Sequence, residues 1–453
     1  MKRLRHILII LALAALFTTA FCTAAYAATT DLKIEVTYQQ STARQMLSMI
    51  NEFRTGSDAW AWNSDDSEKI YYTNLSELQY DYELEKAAMQ RAAEIAILFS
   101  HTRPNGTSAS TAGGWGTSSS IYGYTYGENI AAGSSTANGT FTQWCETDDP
   151  YAGQGHRRNM LSDDFTAIGI GHVVMNGVHY WVQQFGASPH TTATEPRNET
   201  AELTIPVQES YITSVTLAFR NSGVSSLRIP YRTEHMQIPE VRTAVMLKAS
   251  DYDTSWPSAA QVKADLTWTS SDTDVVEVNG TALRGVYPGS ANVTTSWRGK
   301  TLSLGITVTP LNISGYTVTA ADAVYTGEAL KPEVTVTPPE EGATPLTAGT
   351  DYTVIYQNNT DAGTASVQVT GRGPYTGTSG GSFTITPADI SGASAAAIPS
   401  AVYDASAKVP AVTVTYKGRT LTEGEDYTVS YQNNINAGTA SAVLAGSGNF
   451  KGQ

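Results

Sequence analysis

The sequence predicts a multidomain protein in which an N-terminal α+β domain is followed by all-β sandwich modules. From Ser41 to about Ala187, apolar residues recur at the three- and four-residue spacing of amphipathic helices, and strand-like segments are interspersed. Beyond about residue 203, Val, Thr and Tyr alternate with polar residues, turn signals are frequent, and helical spacing essentially disappears.

The first 27 residues have the order of a secretory signal peptide. Met1–Arg5 is basic, an apolar run follows from Ile7 to about Phe21, and Ala25-Tyr26-Ala27 supplies a small-residue cleavage site. We therefore expect residues 1–27 to be removed and the protein to be secreted or extracellular, in association with the cell wall or cell surface. No later segment offers 18 consecutive apolar residues, so no further transmembrane segment is expected.

The charge and the cysteine content limit the partners and the covalent cross-links that the protein is expected to have. The chain has 28 Lys and Arg against 42 Asp and Glu, a formal net charge of -14, and loss of the signal peptide makes it more negative. The resulting field repels nucleic acid and anionic membrane surfaces, so neither is an expected partner. Cleavage after Ala27 leaves Cys145 as the only cysteine, so no internal disulfide is expected.

Periodicity places the elements of the N-terminal domain. A helix is expected over TARQMLSMINEFR, and a second, ending near His101, over YDYELEKAAMQRAAEIAILFSH. The segment AIGIGHVVMNGVHYWVQQFG predicts two strands joined by a turn at Asn176-Gly177. The apolar stripe of the second helix comprises Leu84, Ala88, Ala92, Ile95 and Phe99.

The remainder divides into a linker and three modules. Residues 188–203 are rich in Thr, Pro and charge without periodicity, which indicates a linker. The expected modules are residues 204–310, 311–387 and 388–453. The last two are repeats, because the segment DYTVIYQNNTDAGTAS from Asp351 recurs as DYTVSYQNNINAGTAS from Asp426. The first copy continues into GSFTITP and the second does not, so we expect an incomplete last module or a fragment of a longer chain.

Four segments of the N-terminal domain carry a family resemblance. In order they are FSHTRPNG, YGENIAAG, GQGHRRNML and IGIGHVVMNGVHYWVQQFG. Together they resemble the CAP superfamily (cysteine-rich secretory, antigen 5 and pathogenesis-related type 1 proteins) in its cysteine-poor bacterial form. The resemblance covers residues 41–187 and implies a three-layer α-β-α sandwich around an antiparallel sheet.

The resemblance also implies a cleft with two histidines and two glutamates. For the second glutamate, QWCETDDPY offers Glu146, with Asp148 and Asp149 as neighbours, and we choose Glu146. In this sequence the tetrad corresponds to His101, Glu128, Glu146 and His156. These four are also the candidate catalytic residues.

Such a tetrad has three interpretations. A carboxylate that fixes one imidazole nitrogen leaves the other for a metal or a proton. His101 and His156 are therefore candidate metal ligands, and a divalent metal such as Zn²⁺ is the one cofactor considered, although the spacing is not that of a zinc-protease helix. The alternative is a hydrogen-bonded polar cluster that only holds helices to the sheet.

Ser100 and Cys145 are weaker candidates for a catalytic role. Ser100 adjoins His101, but neighbours at a helix end point apart and cannot form a nucleophile-base pair alone. Cys145 with His156 resembles a thiol nucleophile pair, although a free Cys beside Trp144 in a helix usually packs as a small apolar residue.

The aromatic, histidine and arginine residues near the tetrad could serve either in ligand binding or in packing. We expect at least one of His172 and His179 to face solvent by strand alternation, and the two arginines to form surface ion pairs. The aromatic residues could form a wall for a sugar or an apolar ligand, or pack against the sheet. The arginines are Arg157 and Arg158, and the aromatic residues are Trp60, Trp62, Tyr122, Tyr124 and Tyr126.

The modules carry their own resemblance. The segment LTWTSSDTDVVEVNGTALRGVYPGSANVTTSW resembles the second group of bacterial Ig-like domains. The two terminal repeats are similar to an Ig-like repeat of surface proteins from Gram-positive gut bacteria. Both resemblances imply spacers or adhesive stalks.

The leading hypothesis is a CAP domain displayed on an Ig-like stalk. The resemblance implies that the domain binds a small hydrophobic ligand, a protein or a divalent metal, with a lipid, glycan or protein of the cell surface as partner. One alternative is a hydrolase of peptide or cell-wall material that uses metal-assisted or His/Glu acid-base chemistry. The other is a structural adhesin in which the repeats perform the recognition.

Overall fold

The computed structural model of the protein describes residues 27–114, 126–187, 189–248 and 259–453. The expected signal peptide, except Ala27, and the aromatic residues Tyr122 and Tyr124 lie outside these ranges. None of the helices in the described ranges has the length and apolar character needed to cross a membrane.

The chain forms two compact units. The first comprises the residues up to Ser222 with Pro239–Thr267 and Ser296–Leu302. The second comprises Gly223–Ile238, Trp268–Thr295 and Ser303–Gln453.

The helices and strands are as follows. The α-helices of the described residues are α1 Gln40–Arg44, α2 Met46–Thr55, α3 Tyr82–Ile95, α4 Ala137–Cys145 and α5 Gly155–Leu161. The 3-10 helices are Ala109–Gly114, Tyr151–Gly153, Glu209–Tyr211 and Ile390–Gly392. The strands up to residue 208 are β1 Thr29–Tyr38, β2 Trp60–Trp62, β3 Lys69–Tyr71, β4 Gln79–Tyr80, β5 Gly127–Ala132, β6 Ala167–Met175, β7 Val178–Gly186 and β8 Thr200–Gln208.

The later strands are numerous, and many of them have only two to four residues. Those up to residue 309 are β9 Ile212–Phe219, β10 Ser226–Pro230, β11 Met236–Gln237, β12 Val241–Leu247, β13 Ala260–Val262, β14 Thr269–Ser270, β15 Val276–Asn279, β16 Ala282–Gly285, β17 Gly289–Trp297 and β18 Lys300–Thr309. Those of the first repeat are β19 Leu311–Asn312, β20 Thr317–Ala320, β21 Ala323–Val324, β22 Val334–Thr337, β23 Tyr352–Gln357, β24 Gly363–Gly371, β25 Tyr375–Thr376 and β26 Thr378–Thr386. Those of the second are β27 Ala388–Asp389, β28 Ser394–Ala395, β29 Val414–Tyr416, β30 Arg419–Thr420, β31 Tyr427–Gln432, β32 Ser441–Gly446 and β33 Phe450–Lys451.

The main sheet of the first unit has the strand order β5-β7-β6-β1-β8, and β4 adds to β6 in parallel. The other pairings are antiparallel. The β6–β7 hairpin turns at Asn176 and Gly177, whose φ angles of 53° and 79° suit the two-residue turn of a twisted hairpin. The hairpin predicted from the Asn-Gly pair is therefore confirmed.

Helices cover both faces of this sheet. One face, which includes Ile130 and Val182, packs against α3 in one apolar cluster. The opposite face, which includes Ala131 and Trp181, packs against α1, α2, α4 and α5 in another. Because successive strand residues point to opposite faces, each strand contributes to both cores. This arrangement is the expected three-layer α-β-α sandwich.

Helix α3 lies directly on the backbone of β6. A Cβ atom added at Gly171 would lie 2.3 Å from the Ala88 carbonyl oxygen, and one at Gly169 would lie 2.1 Å from the Glu85 nitrogen. Only glycine permits backbone contact this close. The helix begins at its N-cap Asp81, whose side chain accepts hydrogen bonds from the backbone N–H groups of two residues in the first turn.

Both predicted helices differ in detail from the sequence expectation. Helix α3 ends at Ile95 rather than near His101, since the N–H groups of Ile97 and Leu98 both bond to the Glu94 carbonyl and the chain leaves in a tight turn. The earlier helix is split at Gln45 into α1 and α2.

The sheet of the first unit also includes strands on either side of residues 41–187. Strand β8 begins inside the expected linker and pairs with β1 from Thr29↔Gln208 to Thr37↔Thr200. A second antiparallel sheet of this unit has the order β13-β12-β9.

The second unit is rich in β-strands, as the sequence predicts. In the first repeat, a four-stranded sheet with the order β21-β26-β24-β23 accompanies the β20–β22 pair. In the second, the pair β31–β32 accompanies the sheet β28-β29-β30.

The two repeats share their internal polar contacts. In each, two tyrosine hydroxyls donate to backbone carbonyls of an earlier segment. The donor–acceptor pairs are Tyr352–Val334 and Tyr356–Pro332 in the first repeat, and Tyr427–Val412 and Tyr431–Pro410 in the second. Corresponding residues of the repeats therefore occupy corresponding places.

Candidate functional site

The candidate site begins on the edge strand β5, which carries Glu128 and Asn129 side by side. Because their side chains point to opposite faces, Glu128 meets the α3 side of the sandwich and Asn129 meets α5.

Glu128 is a buried carboxylate with several donors. Arg91 donates to it from Nε at 2.8 Å and from Nη2 at 3.1 Å, and Gln184 donates from Nε2 at 2.5 Å. His101 Nδ1 lies 2.7 Å from its Oε1. Burial alone would raise the pKa of Glu128, but the Arg91 charge and the His101 hydrogen bond hold that pKa below its ordinary value.

The ionised carboxylate determines which nitrogen of His101 carries the proton. A carboxylate can only accept, so His101 donates from Nδ1 and its Nε2 becomes the basic nitrogen of the neutral ring. The His101 side chain is 37% exposed, whereas that of Glu128 is 3% exposed. A buried anion thus orients an imidazole that reaches the surface.

Arg91 is in turn held by further acceptors. It donates to Glu94 Oε2 at 2.9 Å and to the Ser100 carbonyl at 2.6 Å, and its side chain is fully buried. Burial opposes its charge, but the two glutamates raise the pKa of Arg91 further above its ordinary value. Arg103 donates to the far side of Glu94 at 2.6 Å. The result is a closed network of alternating charges behind His101.

The second pair joins His156 to Glu146. Glu146 ends α4 in the left-handed conformation, with a φ of 45°. Its Oε1 contacts His156 Nδ1, and its Oε2 accepts from the backbone N–H of Arg157 at 3.2 Å. The His156 side chain is 34% exposed and that of Glu146 is 8% exposed. In this second pair too, a nearly buried carboxylate holds a partly exposed imidazole.

Asn129 connects the helix of His156 to strand β5. Its Nδ2 donates to the His156 carbonyl at 3.1 Å and to Gln183 at 2.8 Å. Its Oδ1 accepts from Asn159 Nδ2 at 2.7 Å. The two His/Glu pairs are therefore anchored to adjacent residues of one strand.

The described residues do not form a conventional metal centre. They contain no group of three or more His, Cys, Asp or Glu side chains that could hold a metal ion. Catalytic zinc usually has three protein ligands, which the pair of imidazoles does not supply.

The two candidate nucleophiles, the Cys145 thiol and the Ser100 hydroxyl, have contacts that are typical of structural side chains. Burial raises the pKa of Cys145 to about 11, and the Nδ1 of His156 is engaged by Glu146. Ser100 is buried, and its Oγ accepts the Thr102 N–H at 3.0 Å. Neither contact activates a nucleophile.

Arg157 departs from the surface ion pair that we expected. It is buried and donates to the carbonyl oxygens of Cys145 and Asp58, each at 2.6 Å, and to that of Trp60 at 2.5 Å. Burial lowers its pKa. Its neighbour Arg158 lies over the Tyr151 ring, 3.9 Å from the centroid.

His172 and His179 interact with each other across the β6–β7 hairpin. His172 Nε2 lies 2.9 Å from His179 Nδ1, and the His172 ring stacks on Trp181 at 3.6 Å. His172 is fully buried and His179 is half-buried. Burial, and secondarily the charge of His179, lower the pKa of His172 to about 3.

A groove of about 420 Å³ lies between α2 and α4. Its apolar lining includes Met49, Phe53, Trp60 and Phe141, and Cys145 and Arg157 also line it. Phe53 and Phe141 meet edge to face at 5.8 Å, and Lys69 Nζ lies 3.6 Å from the Trp60 ring centroid. Trp60 is thus both packed and part of a groove wall.

Sequence reasoning did not identify Arg91, Gln184 or Asn129. For Arg91 a signal existed, because it lies on the apolar stripe three residues after Ala88 and four before Ile95. A charged residue on a buried face requires a partner. Gln184 and Asn129 carry no comparable local signal, since only strand pairing brings them to the site.

Comparisons with known proteins agree with this architecture. Residues 47–185 match the CAP family, described as the cysteine-rich secretory protein family. The chain is 32% identical over 116 residues to "Uncharacterized protein YkwD" of Bacillus subtilis (strain 168), and the match covers 24% of this chain and 40% of that relative.

Solved structures are also similar to parts of the chain. An outer surface protein from Borrelia burgdorferi is 20% identical, with a TM-score of 0.22, over 33% of this chain and 93% of that one. The structure titled NaASP2 with Zn²⁺ is 18% identical, with a TM-score of 0.26, over 36% and 88%. The family match covers nearly all of α2, helices α3 to α5 and both His/Glu pairs, and residues 47–185 of this chain form a CAP domain.

Proposed function

We propose that this is a secreted or cell-surface protein whose CAP domain binds a small hydrophobic ligand in the groove between α2 and α4. The position of the groove carries this proposal. Cys145 and Arg157, which line the groove, directly precede Glu146 and directly follow His156 in the chain. The groove therefore adjoins one of the two His/Glu pairs.

The groove has the character of a small-molecule site. Its volume lies within the few hundred to about a thousand Å³ typical of ligand pockets. Its lining combines the apolar side chains with polar ones, namely Glu52, Ser57, Asp58, Asn138, Thr147 and Arg157. Arg157 fixes both walls, because it bonds to carbonyls of the Asp58–Trp60 segment and of Cys145. Such a preformed site loses little conformational entropy when a ligand binds.

The His156–Glu146 pair supplies an oriented polar group beside this groove. Its imidazole is held through Nδ1 by the carboxylate, which fixes the orientation of the ring. An imidazole held in this way suits the polar end of a ligand, a partner protein or a divalent cation. The β-rich region would carry the domain as a stalk.

Calorimetric titration of the full chain with straight-chain fatty acids, glycans and Zn²⁺ tests the proposal. Saturable binding of the fatty acid is expected, with at least a tenfold loss in Phe141→Arg and in the milder Met49→Gln. His235→Asn is the matched control, because His235 is exposed and has a φ of 61° that Asn tolerates. Fatty-acid binding that is absent, or undiminished in both groove variants while denaturation shows them folded, would refute this function.

Acid-base hydrolysis is the second candidate. The observation that favours it is the hydrogen bond from His101 to the buried, ionised Glu128, which fixes the tautomer and the orientation of the ring, as a general base requires. Turnover of peptide or peptidoglycan should then fall at least a hundredfold in Glu128→Gln. Turnover that survives this change at the wild-type rate would exclude the mechanism.

A further inference from the structure

A cleft of about 700 Å³ lies within the first unit, and in the described chain its lining residues are separate from those of the groove between α2 and α4. The cleft follows one edge of β1, where the sheet is interrupted. Among the described residues, β6 pairs with this edge at Thr37 and Tyr38 only, and further along the edge Lys263 pairs with Lys33. The four residues from one pairing to the other span about 13 Å of extended strand.

The main chain of Glu35 faces this gap. Alternate residues of an antiparallel strand direct their N–H and C=O groups to the same edge. The Lys33 carbonyl accepts from the Lys263 N–H at 2.7 Å, so the odd-numbered residues bond towards the gap. On the opposite edge, beside β8, Tyr38 donates to the Glu199 carbonyl at 2.9 Å. The N–H and C=O groups of Glu35 therefore point into the cleft, where the described residues provide them with no main-chain partner.

A group of three charged side chains in the cleft retains one negative charge. Glu35 and Glu202 lie directly opposite each other on β1 and β8, which is unfavourable for two like charges alone. Lys263 Nζ lies 2.7 Å from Glu35 and 3.3 Å from Glu202. The two carboxylates thus share one ammonium group. Lys33 and Asp265, also in the lining, neutralise each other at 2.6 Å.

Arg242 supplies an uncompensated positive charge to the same cleft. It is exposed on β12, and no acidic side chain of the described ranges forms an ion pair with it. Arg220, the other arginine of the lining, lies 3.2 Å from Glu240. A guanidinium group can bind a carboxylate through two parallel hydrogen bonds. The cleft therefore offers one surplus charge of each sign and an open stretch of main chain.

We propose that this cleft binds a short peptide with free amino and carboxyl termini. The carboxylate of the peptide pairs with Arg242, and its ammonium group pairs with the carboxylates of Glu35 and Glu202. Its peptide groups bond to the open main chain of Glu35, since pairing with a free strand edge is a general mode of peptide recognition.

The dimensions and the lining of the cleft favour a peptide of small residues. The gap of about 13 Å is the length of about four extended residues. Between the charged groups, the lining offers small and branched apolar side chains, which suit methyl groups better than large rings. These side chains are Val174, Val241, Val262, Ala264 and Leu266.

Calorimetric titration of the full chain with tetra-alanine tests the proposal. Saturable binding is expected, and the N-acetylated and the C-terminally amidated peptides should each bind at least tenfold more weakly. Free alanine carries both charges but has no peptide bond, so it should also bind at least tenfold more weakly. No binding of tetra-alanine, or equal binding of a capped peptide or of alanine, would overturn the proposal.

Two variants test the two ends of the peptide separately. Arg242→Gln should weaken tetra-alanine binding at least tenfold but leave binding of the amidated peptide unchanged. Glu202→Gln should have the same effect on tetra-alanine and leave the acetylated peptide unchanged. Arg228→Gln is the matched control, because Arg228 is an exposed arginine on β10 of the second unit. Wild-type affinity for tetra-alanine in either cleft variant, with thermal unfolding showing both folded, would contradict these contacts.

Hydrogen exchange and competition distinguish a peptide from an acidic sugar. The Glu35 amide should exchange more slowly when tetra-alanine is bound, because the peptide occupies the open edge of β1. Galacturonate, which has a carboxylate and hydroxyl groups but no ammonium group, should not displace tetra-alanine. Displacement by galacturonate, or unchanged exchange of the Glu35 amide, would overturn the assignment of a peptide ligand.

Discussion

Arg91 and Glu128 form a buried ion pair in which the guanidinium contacts both carboxylate oxygens, at 2.8 and 3.1 Å. Their side chains are 0% and 3% exposed. This pair lies behind His101, so the geometry of the imidazole depends on a residue in the preceding helix.

Removal of Arg91 should therefore lower the free energy of unfolding. Arg91→Met leaves Glu128 and Glu94 without their shared cation, and loss of one partner of a buried pair destabilises by about 3–5 kcal/mol. Denaturant unfolding of the first unit within the full chain measures this. Arg197→Met is the control, since that arginine is 41% exposed and should contribute about 1 kcal/mol or less. A loss of unfolding free energy in Arg91→Met that is no larger than the loss in Arg197→Met would contradict this network.

His172 should make stability depend on pH. Its folded pKa of about 3 lies below the ordinary 6.5, so the unfolded chain binds the proton first as the pH falls. The neutral His172 ring contributes its full share to the free energy of unfolding above pH 6.5. This share declines by about 1.4 kcal/mol for each pH unit as the pH falls from 6.5 towards 3. His172→Phe should reduce the loss of unfolding free energy between pH 7.5 and 5.5, with His235→Asn as control. An unchanged loss in His172→Phe would count against a buried neutral ring.

Gly171 should not tolerate a methyl group. Gly171→Ala forces α3 away from β6 or distorts the strand, because the new atom meets the Ala88 carbonyl. Overpacking of this kind costs about 1–3 kcal/mol. Gly315→Ala is the control, as nothing lies within 4 Å of a Cβ there. Thermal unfolding compares the two, and equal melting temperatures would show that the helix moves freely.

Asn129 should couple α5 to the sheet. Asn129→Ala removes bonds to the His156 carbonyl, Gln183 and Asn159, and leaves buried polar groups that cost about 1–3 kcal/mol. Amide exchange in residues 155–161 should accelerate while that in α3 does not. Uniform acceleration throughout the domain would show that Asn129 supports the fold as a whole rather than this helix.

Cys145 should react slowly with iodoacetamide. With a pKa of about 11, its thiolate fraction at pH 8 is on the order of a hundredfold below that of a free cysteine. Mass spectrometry of a Cys22→Ser background, in which Cys145 is the remaining thiol, measures the rate. Labelling as fast as that of a short cysteine peptide would show that the thiol is neither buried nor inert.

Local sequence predicted the elements better than their connections. The apolar stripe specified α3, and the Asn-Gly pair specified the β6–β7 turn, because both signals act over a few residues. The predicted end of α3 was wrong by several residues, because the chain turns after Ile95, where the Ile97 and Leu98 N–H groups bond to the Glu94 carbonyl, and the bond from Arg91 to the Ser100 carbonyl holds the residues that follow. Arg157 was expected at the surface for the same reason: its carbonyl partners are close only in three dimensions.

The family resemblance supplied the histidines and glutamates, and the structure supplies their surroundings. It places His101 against Glu128, and His156 against Glu146 rather than its aspartate neighbours. Whether these groups bind a ligand or catalyse a reaction stays a prediction.

The backbone of Glu146 has a consequence for the history of the site. Helices commonly end in a left-handed residue that is glycine, which adopts this conformation without strain. At position 146 a glycine would relieve the backbone but remove the carboxylate that holds His156. The backbone conformation and the contact with His156 thus favour different residues at one position, and a lineage in which His156 no longer needed a carboxylate partner would gain stability by replacing the glutamate.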